Sequence, residues 1–168
     1  KLTKFKIDIK KQIRFLLTLL QSKEKVLVHR DFHASNLMKY KNKIGVIDSQ
    51  DALIGNRAYD LASLIDDVRF RTDEIFKNKI YRYYLKLNKK RVNKATLLSD
   101  FEILSILRNM KIIGIFTRLA MRDKKKQYLK LIPYAWKLIE LRISNNKKFS
   151  ELKSLLELNF SKKIRNQK

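Results

Sequence analysis

Between residues 58 and 158 the chain carries a single glycine, Gly114, and a single proline, Pro133, while apolar residues recur at steps of three and four. That spacing suits amphipathic helices and little else. Helices are predicted over 58–68, with Leu61, Leu64 and Ile65 on one face, and over 72–87, with Ile75, Phe76, Ile80 and Tyr84. A longer one covers 97–122, and another covers 134–143, where Pro133 suits a first turn that needs no backbone donor. Ser150 is placed to cap a last helix through residue 158. An earlier helix over 3–21 presents Phe5, Ile9, Ile13, Leu16, Leu17 and Leu20. Strand signal is confined to what lies between: Val26-Leu27-Val28, then 37–40 and 44–47 around the polar link Lys41-Asn42-Lys43, the pattern of a β-hairpin. After residue 47 no further strand is expected. The fold class is mainly α with a small β-hairpin.

Composition narrows the chemistry. The 168 residues hold no cysteine and two histidines, which excludes disulfides, thiolate sites and a multi-histidine zinc centre. With three glycines in all, no glycine-rich phosphate loop can form here. There is no apolar run of membrane-span length and no signal peptide, so a cytoplasmic location without a membrane partner is expected. Forty Lys and Arg against sixteen Asp and Glu give a net charge of +24. These basic residues are spread along the chain, and 28 Lys with 18 Ile and 11 Asn have the signature of an AT-rich genome. Non-specific attraction to polyanions follows, but no specific nucleic-acid partner is indicated. The densest basic runs, Lys124-Lys125-Lys126 and the tail 161–168, read as a solvated turn and a frayed end.

The polar residues gather where the strands are. In Val28-His29-Arg30-Asp31-Phe32-His33-Ala34-Ser35-Asn36-Leu37-Met38, an Asp is followed five residues later by an Asn, and Asp48 comes twelve residues after that. Phosphoryl transfer needs one carboxylate to take the proton of the acceptor hydroxyl. It also needs a carboxylate and an amide oxygen to hold Mg²⁺ against the phosphates. A hairpin between Asn36 and Asp48 would return both to one end of neighbouring strands. Chance gives His-x-Asp-x-x-x-x-Asn in roughly one such sequence in a hundred, and the third residue makes luck a poor account.

These segments resemble the catalytic and metal-binding loops of the aminoglycoside phosphotransferase and choline kinase superfamily, relatives of the protein kinases. Within it they are most similar to the family of bacterial anomeric N-acetylmuramate and N-acetylglucosamine kinases. The likeness rests on His29-Arg30-Asp31-Phe32-His33-x-x-Asn36-Leu37-Met38, Asp48-Ser49-Gln50-Asp51-Ala52 and Arg57-Ala58-Tyr59-Asp60-Leu61-Ala62-Ser63-Leu64. It continues in Ile113-Gly114-Ile115-Phe116-Thr117-Arg118-Leu119 and Leu131-Ile132-Pro133-Tyr134-x-Trp136. The resemblance implies the C-terminal lobe of a protein-kinase-like fold over residues 1–160, followed by the basic tail. It implies an ATP-dependent, Mg²⁺-assisted kinase acting on a sugar hydroxyl. Asp31 would be the catalytic base, Asn36 and Asp48 the magnesium ligands, and Asp60 a structural support of the loop. His29 reads on its own as a core histidine whose ring hydrogen-bonds the loop backbone, in preference to a proton-transfer role. Ser49 departs from the Phe usual after the metal-binding Asp.

Around that centre the expectations are plainer. Arg30 and His33 adjoin the base and touch either substrate or solvent, and Asp51 either binds substrate or caps the turn before Gly55. Asp66-Asp67 reads as a solvated helix face, and Tyr134 and Trp136 as core. The chain opens on Lys1 inside a helical pattern, so a longer parent is expected, with an N-terminal nucleotide-binding lobe that this chain lacks. Alone, the chain is expected to show negligible turnover and to expose an apolar patch near 26–28 and the hairpin. The rival readings are a kinase for choline, homoserine or an aminoglycoside, a catalytically dead scaffold, and a basic polyanion-binding module.

Overall fold

The computed structural model of the chain describes residues 2–89, 91–144 and 146–166. It divides into two compact units, residues 21–105 and residues 1–20 with 106–168.

The unit of residues 21–105 contains all the strands found among the described residues. β1 (Lys25–Val28) pairs antiparallel with β4 (Leu53–Asn56), Lys25 opposite Asn56 and Val28 opposite Leu53. β2 (Leu37–Tyr40) and β3 (Lys43–Val46) form the expected hairpin, with Leu37 opposite Val46. Lys41 takes φ 52° in its turn, the left-handed conformation that tight hairpins use. α2 (Ala58–Ile65) and α3 (Glu74–Leu87) follow, and α4 (Lys94–Met121) belongs to this unit through Ser105. α3 starts at Asp73, whose carboxylate accepts the Phe76 amide at 2.7 Å. Val28, Leu61, Ile65, Val68, Leu97 and Phe101 are among the buried apolar residues. Tyr81 packs its ring 5.5 Å from Phe101, and burial together with the Glu102 carboxylate pushes its phenol up to about 12.

Strand β4 corrects the expectation that strand signal ends at residue 47. It is four residues long, includes a glycine and shows no alternation of its own, so only its partner reveals it. Gly55 leaves room there: a Cβ would lie 3.1 Å from a Leu53 methyl and 3.2 Å from a Val28 methyl, close enough that those side chains would have to shift.

Asp66 and Asp67 are a second correction, because both are buried rather than solvated. Asp66 closes α2, its amide donating to the Ala62 carbonyl at 3.0 Å. Its carboxylate pairs with the buried Lys77 ammonium at 3.2 Å and accepts the Ser105 hydroxyl. Lys77 also donates to the Ile65 carbonyl. Asp67 accepts the Arg69 amide at 3.0 Å. Charges removed from water persist only when paired and hydrogen-bonded, and the Asp66–Lys77 pair meets that condition.

The unit of residues 1–20 and 106–168 is helical among its described residues. α1 (Leu2–Thr18) packs on α6 (Ser150–Asn159), with a Gln12–Glu151 hydrogen bond of 2.7 Å and Phe5 edge-on to Phe160 at 5.5 Å. α5 (Ile132–Ile143) begins with Pro133 in its first turn and buries Trp136, as expected. Ser150 does not cap α6. The preceding residue, Phe149, holds the cap position after a short 3₁₀ turn, which Asn146 caps through the Lys148 amide at 3.1 Å. The basic tail does not simply fray. Ser161 caps a short helix, α7 (Lys162–Arg165), and Arg165 is buried over Trp136 and pairs with Glu140. Residues 167–168 of that tail lie outside the described residues. Lys124-Lys125-Lys126 is exposed, as expected. No helix among the described residues is long and apolar enough to cross a membrane.

The buried ion pair sets a stability prediction. Lys77→Met keeps most of the side-chain volume but takes the ammonium away from a fully buried carboxylate, so unfolding free energy should fall by about 3–5 kcal/mol. The double variant Asp66→Asn/Lys77→Met should recover most of it. Urea denaturation of the three proteins measures both, and a single variant as stable as the unaltered chain would refute the pairing.

Candidate active site

Every residue singled out in the polar segment lies in the unit of residues 21–105. β1 ends at the buried Val28, and the chain then turns through His29 and Arg30. Two consecutive backbone amides point at one carboxylate: His29 N–H donates to Asp60 Oδ2 at 2.7 Å and Arg30 N–H to Asp60 Oδ1 at 3.0 Å. Asp60 sits in the first turn of α2, where the positive end of the helix dipole favours its charge. Arg30 is held at φ 74°, a conformation that costs a non-glycine residue about 1 kcal/mol or more. Two charge-assisted bonds, each worth about 1.5–3 kcal/mol, suffice to offset that cost.

The His29 ring closes the loop from the other side. Its Nε2 lies 2.9 Å from the Ile47 carbonyl. A carbonyl oxygen only accepts, so Nε2 carries the proton. Nδ1 is buried and without a hydrogen-bond partner among the described residues. Phe32 packs edge-on against this ring at 6.1 Å between centroids.

Asp31 contributes its backbone to the turn and leaves its side chain unengaged. The Asp31 carbonyl accepts the His33 amide at 3.0 Å and the Asn36 side-chain amide at 2.9 Å. The half-buried Asp31 carboxylate makes no hydrogen bond or ion pair among the described residues. Asn36 N–H donates to the His33 carbonyl at 2.9 Å, and the Asn36 carbonyl accepts the Ile47 amide at 3.1 Å. The hairpin ladder thus continues one step past Leu37–Val46, setting Asn36 across from Ile47 and one residue short of Asp48. With Nδ2 committed to the Asp31 carbonyl, Asn36 Oδ1 is the atom left to accept or coordinate.

Asp48 is a second left-handed residue, at φ 69°, a conformation that Asp tolerates better than most. The Gln50 side chain donates to its Oδ1 at 2.8 Å, leaving Oδ2 unshared among the described residues. A tight turn, Ala52 N–H to the Ser49 carbonyl at 3.0 Å, leads on toward β4. Arg30 reaches across to donate to the Asp51 carbonyl at 3.3 Å, so these two of the three substrate candidates meet through a side chain and a backbone atom. His33, the third, is buried at 8% exposure, which removes the solvent alternative for it. The Asp51 carboxylate is exposed.

The oxygens left over suit a hard cation. Asn36 Oδ1 and Asp48 Oδ2 are an amide and a carboxylate oxygen at the root of one hairpin. Magnesium is commonly held by one or two such groups, with phosphate oxygens and water completing its shell. No cluster of three His, Cys, Asp or Glu able to hold a metal occurs among the described residues, so nothing here resembles a closed all-protein cage. Two residues of this region went unremarked in the sequence, Asn56 and Asp100. Asn56 has a local signal, a side-chain oxygen two residues before the first amide of a helix, whereas the partners of Asp100 lie 44 to 79 positions away.

The phosphotransferase enzyme family model, APH, matches residues 3–109, and the chain belongs to that family. Its mainly α fold with small antiparallel ladders is the protein-kinase-like one that this membership implies. The chain is similar to the N-acetylmuramate/N-acetylglucosamine kinase of Neisseria meningitidis serogroup B, 38% identical over 123 residues, or 70% of this chain and 37% of that protein. The protein of the same name from Pseudomonas aeruginosa is 32% identical over 137 residues, 79% of this chain and 40% of the relative. That from Caulobacter vibrioides is 32% identical over 116 residues, 66% and 32% respectively. The chain therefore spans 32 to 40% of the length of these relatives.

The pair of hydrogen bonds to Asp60 sets a prediction of its own. Asp60→Ala leaves two loop amides without their acceptor and Arg30 without compensation, so stability should fall by about 2–4 kcal/mol. Guanidinium denaturation reads the change, and an unaltered midpoint would show that the carboxylate holds nothing in place.

Proposed function

We propose that the protein containing this chain transfers the γ-phosphoryl group of ATP to a sugar hydroxyl, the anomeric hydroxyl of N-acetylmuramate or N-acetylglucosamine, and acts in the cytoplasm in cell-wall recycling. One observation carries the reading. Asp31, whose carboxylate makes no hydrogen bond or ion pair among the described residues, stands on a turn whose carbonyl holds the Asn36 side chain, and the hairpin returns the chain to Ile47, opposite Asn36 and one residue before Asp48. The names of the similar proteins support the acceptor class.

In this reading the acceptor hydroxyl donates to Asp31, which takes its proton as the new oxygen–phosphorus bond forms. The bond from the γ-phosphorus to the bridging oxygen breaks, and ADP leaves with that electron pair. Asn36 Oδ1 and Asp48 Oδ2 would hold magnesium, which when bound neutralises charge on the phosphates. Arg30, His33 and Asp51 are the proposed substrate contacts, and Arg30 is already oriented by the Asp51 carbonyl. His29 and Asp60 keep the loop in the one conformation that presents Asp31. Little covalent work falls to the protein, so positioning and charge supply most of the rate.

The nucleotide itself needs more than this chain, which has too few glycines for a phosphate loop. A separate nucleotide-binding lobe, N-terminal to a C-lobe of residues 1–160 and its basic tail, is therefore part of the proposal. An apolar surface supports it. Leu27 and Ile54, paired across the β1–β4 ladder, are 71% and 67% exposed, and Tyr40 and Ile44 of the hairpin are exposed as well.

The full-length protein, intact and as Asp31→Asn, should be assayed for Mg²⁺-dependent ATP consumption against N-acetylated sugars, choline, homoserine and aminoglycosides. Turnover with an N-acetylated sugar, reduced a thousandfold or more in the variant, is the expected result. Turnover with choline or an aminoglycoside alone would move the acceptor. Equal turnover in both proteins would remove Asp31 from its role, and silence on every acceptor would favour a scaffold or a polyanion-binding module.

A further inference from the structure

Asp100 lies on α4, far from the proposed chemistry in sequence, and is fully buried. Its carboxylate accepts three hydrogen bonds. Oδ1 takes the Gln21 amide at 2.8 Å, and Oδ2 takes the Ser22 amide at 2.9 Å and the Asn56 side-chain amide at 2.7 Å. A buried carboxylate with three neutral N–H donors is satisfied, and removing it strands all three donors.

The donors stand at the roots of the catalytic turn. Gln21 and Ser22 lead into β1, which delivers His29. Asn56 ends β4 and faces Lys25 across the ladder. The Asn56 Oδ1 accepts the Ala58 amide at 2.9 Å, so the same side chain fixes the start of α2. Two residues later α2 presents Asp60, which returns to the His29 and Arg30 amides. The connections form a closed ring: Asp100 to Ser22, along β1 to His29, across to Asp60, back along α2 to Ala58 and Asn56, and home to Asp100. The Glu24–Arg57 ion pair spans the same gap. One carboxylate therefore clamps each end of the β1–β4 ladder, Asp60 at the catalytic end and Asp100 at the other. A ladder of four residues per strand is too short to hold its own register without such ends.

We propose that Asp100, acting through Asn56, is a positioning residue for Asp31: it sets where α2 begins, and with that where Asp60 holds the catalytic turn. The kinetic part of this rests on the reaction proposed above, while the structural part does not. The test uses the full-length protein as Asp100→Asn and as Asn56→Ala, the latter leaving the Gln21 and Ser22 bonds intact if the former folds poorly. Amide hydrogen exchange at His29 and Arg30 should accelerate tenfold or more in either variant, while exchange in α5 keeps its rate. A smaller change at those two amides overturns the proposal. Where the unaltered protein is active, kcat should fall at least tenfold with KM for ATP and acceptor within twofold. Asp60→Asn/Asp100→Asn should lose little more than Asp60→Asn alone, since both act on one turn. A kcat retained in the folded variants, or losses that simply multiply, overturns it too. An unaltered protein silent on every acceptor would defeat the proposed reaction and leave this inference to be decided by exchange alone.

Discussion

Two backbone amides sharing one carboxylate decide the shape of this site. His29 and Arg30 both donate to Asp60, and Arg30 can sit at φ 74° only because those bonds repay the strain. With the turn so fixed, the His29 ring reaches the Ile47 carbonyl, and the Asp31 carbonyl receives the Asn36 side chain. The backbone of Asp31 is consumed in holding the loop, and its side chain is what remains. The proposed proton acceptor is thus placed by the turn while its carboxylate stays unengaged among the described residues.

The second half of the site depends on register. Asn36 and Asp48 come to the same end of the hairpin because β2–β3 pairs Leu37 with Val46 and extends one hydrogen bond further, from Ile47 to Asn36. A slip of one residue would change which residue stands opposite Asn36. The ring through Asp100, Asn56, α2 and Asp60 does for the other ladder what the tight turn does for the hairpin. Both ladders are minimal, and both leave apolar side chains uncovered, Leu27 and Ile54 on one and Tyr40 and Ile44 on the other.

What could be read in the sequence follows the distance over which each feature is determined. The helices were legible because their periodicity is local, and Pro133 falls in a first turn as its chemistry requires. The hairpin between Asn36 and Asp48 was legible for the same reason, since a hairpin is closed by its own turn. Strand β4 was not, because four residues with a central glycine become a strand only opposite β1. Asp66-Asp67 reads as a surface pair until Lys77 and Ser105, 11 and 39 residues further on, are seen to bury Asp66. Asp100 is more remote still, its donors lying up to 79 positions away. The cap at Ser150 failed by one position, because a 3₁₀ turn leads into α6 and moves its start.

The central claim is that Asn36 Oδ1 and Asp48 Oδ2 form the cation site beside an unengaged Asp31. Paramagnetic broadening by Mn²⁺ addresses it most directly, in the isotope-labelled full-length protein with a non-hydrolysable ATP analogue. The account predicts that the resonances of Asn36, Ile47 and Asp48 broaden first and that Asp48→Asn abolishes the effect. Broadening centred on the buried Asp66-Asp67 pair, or unchanged in the variant, would contradict it.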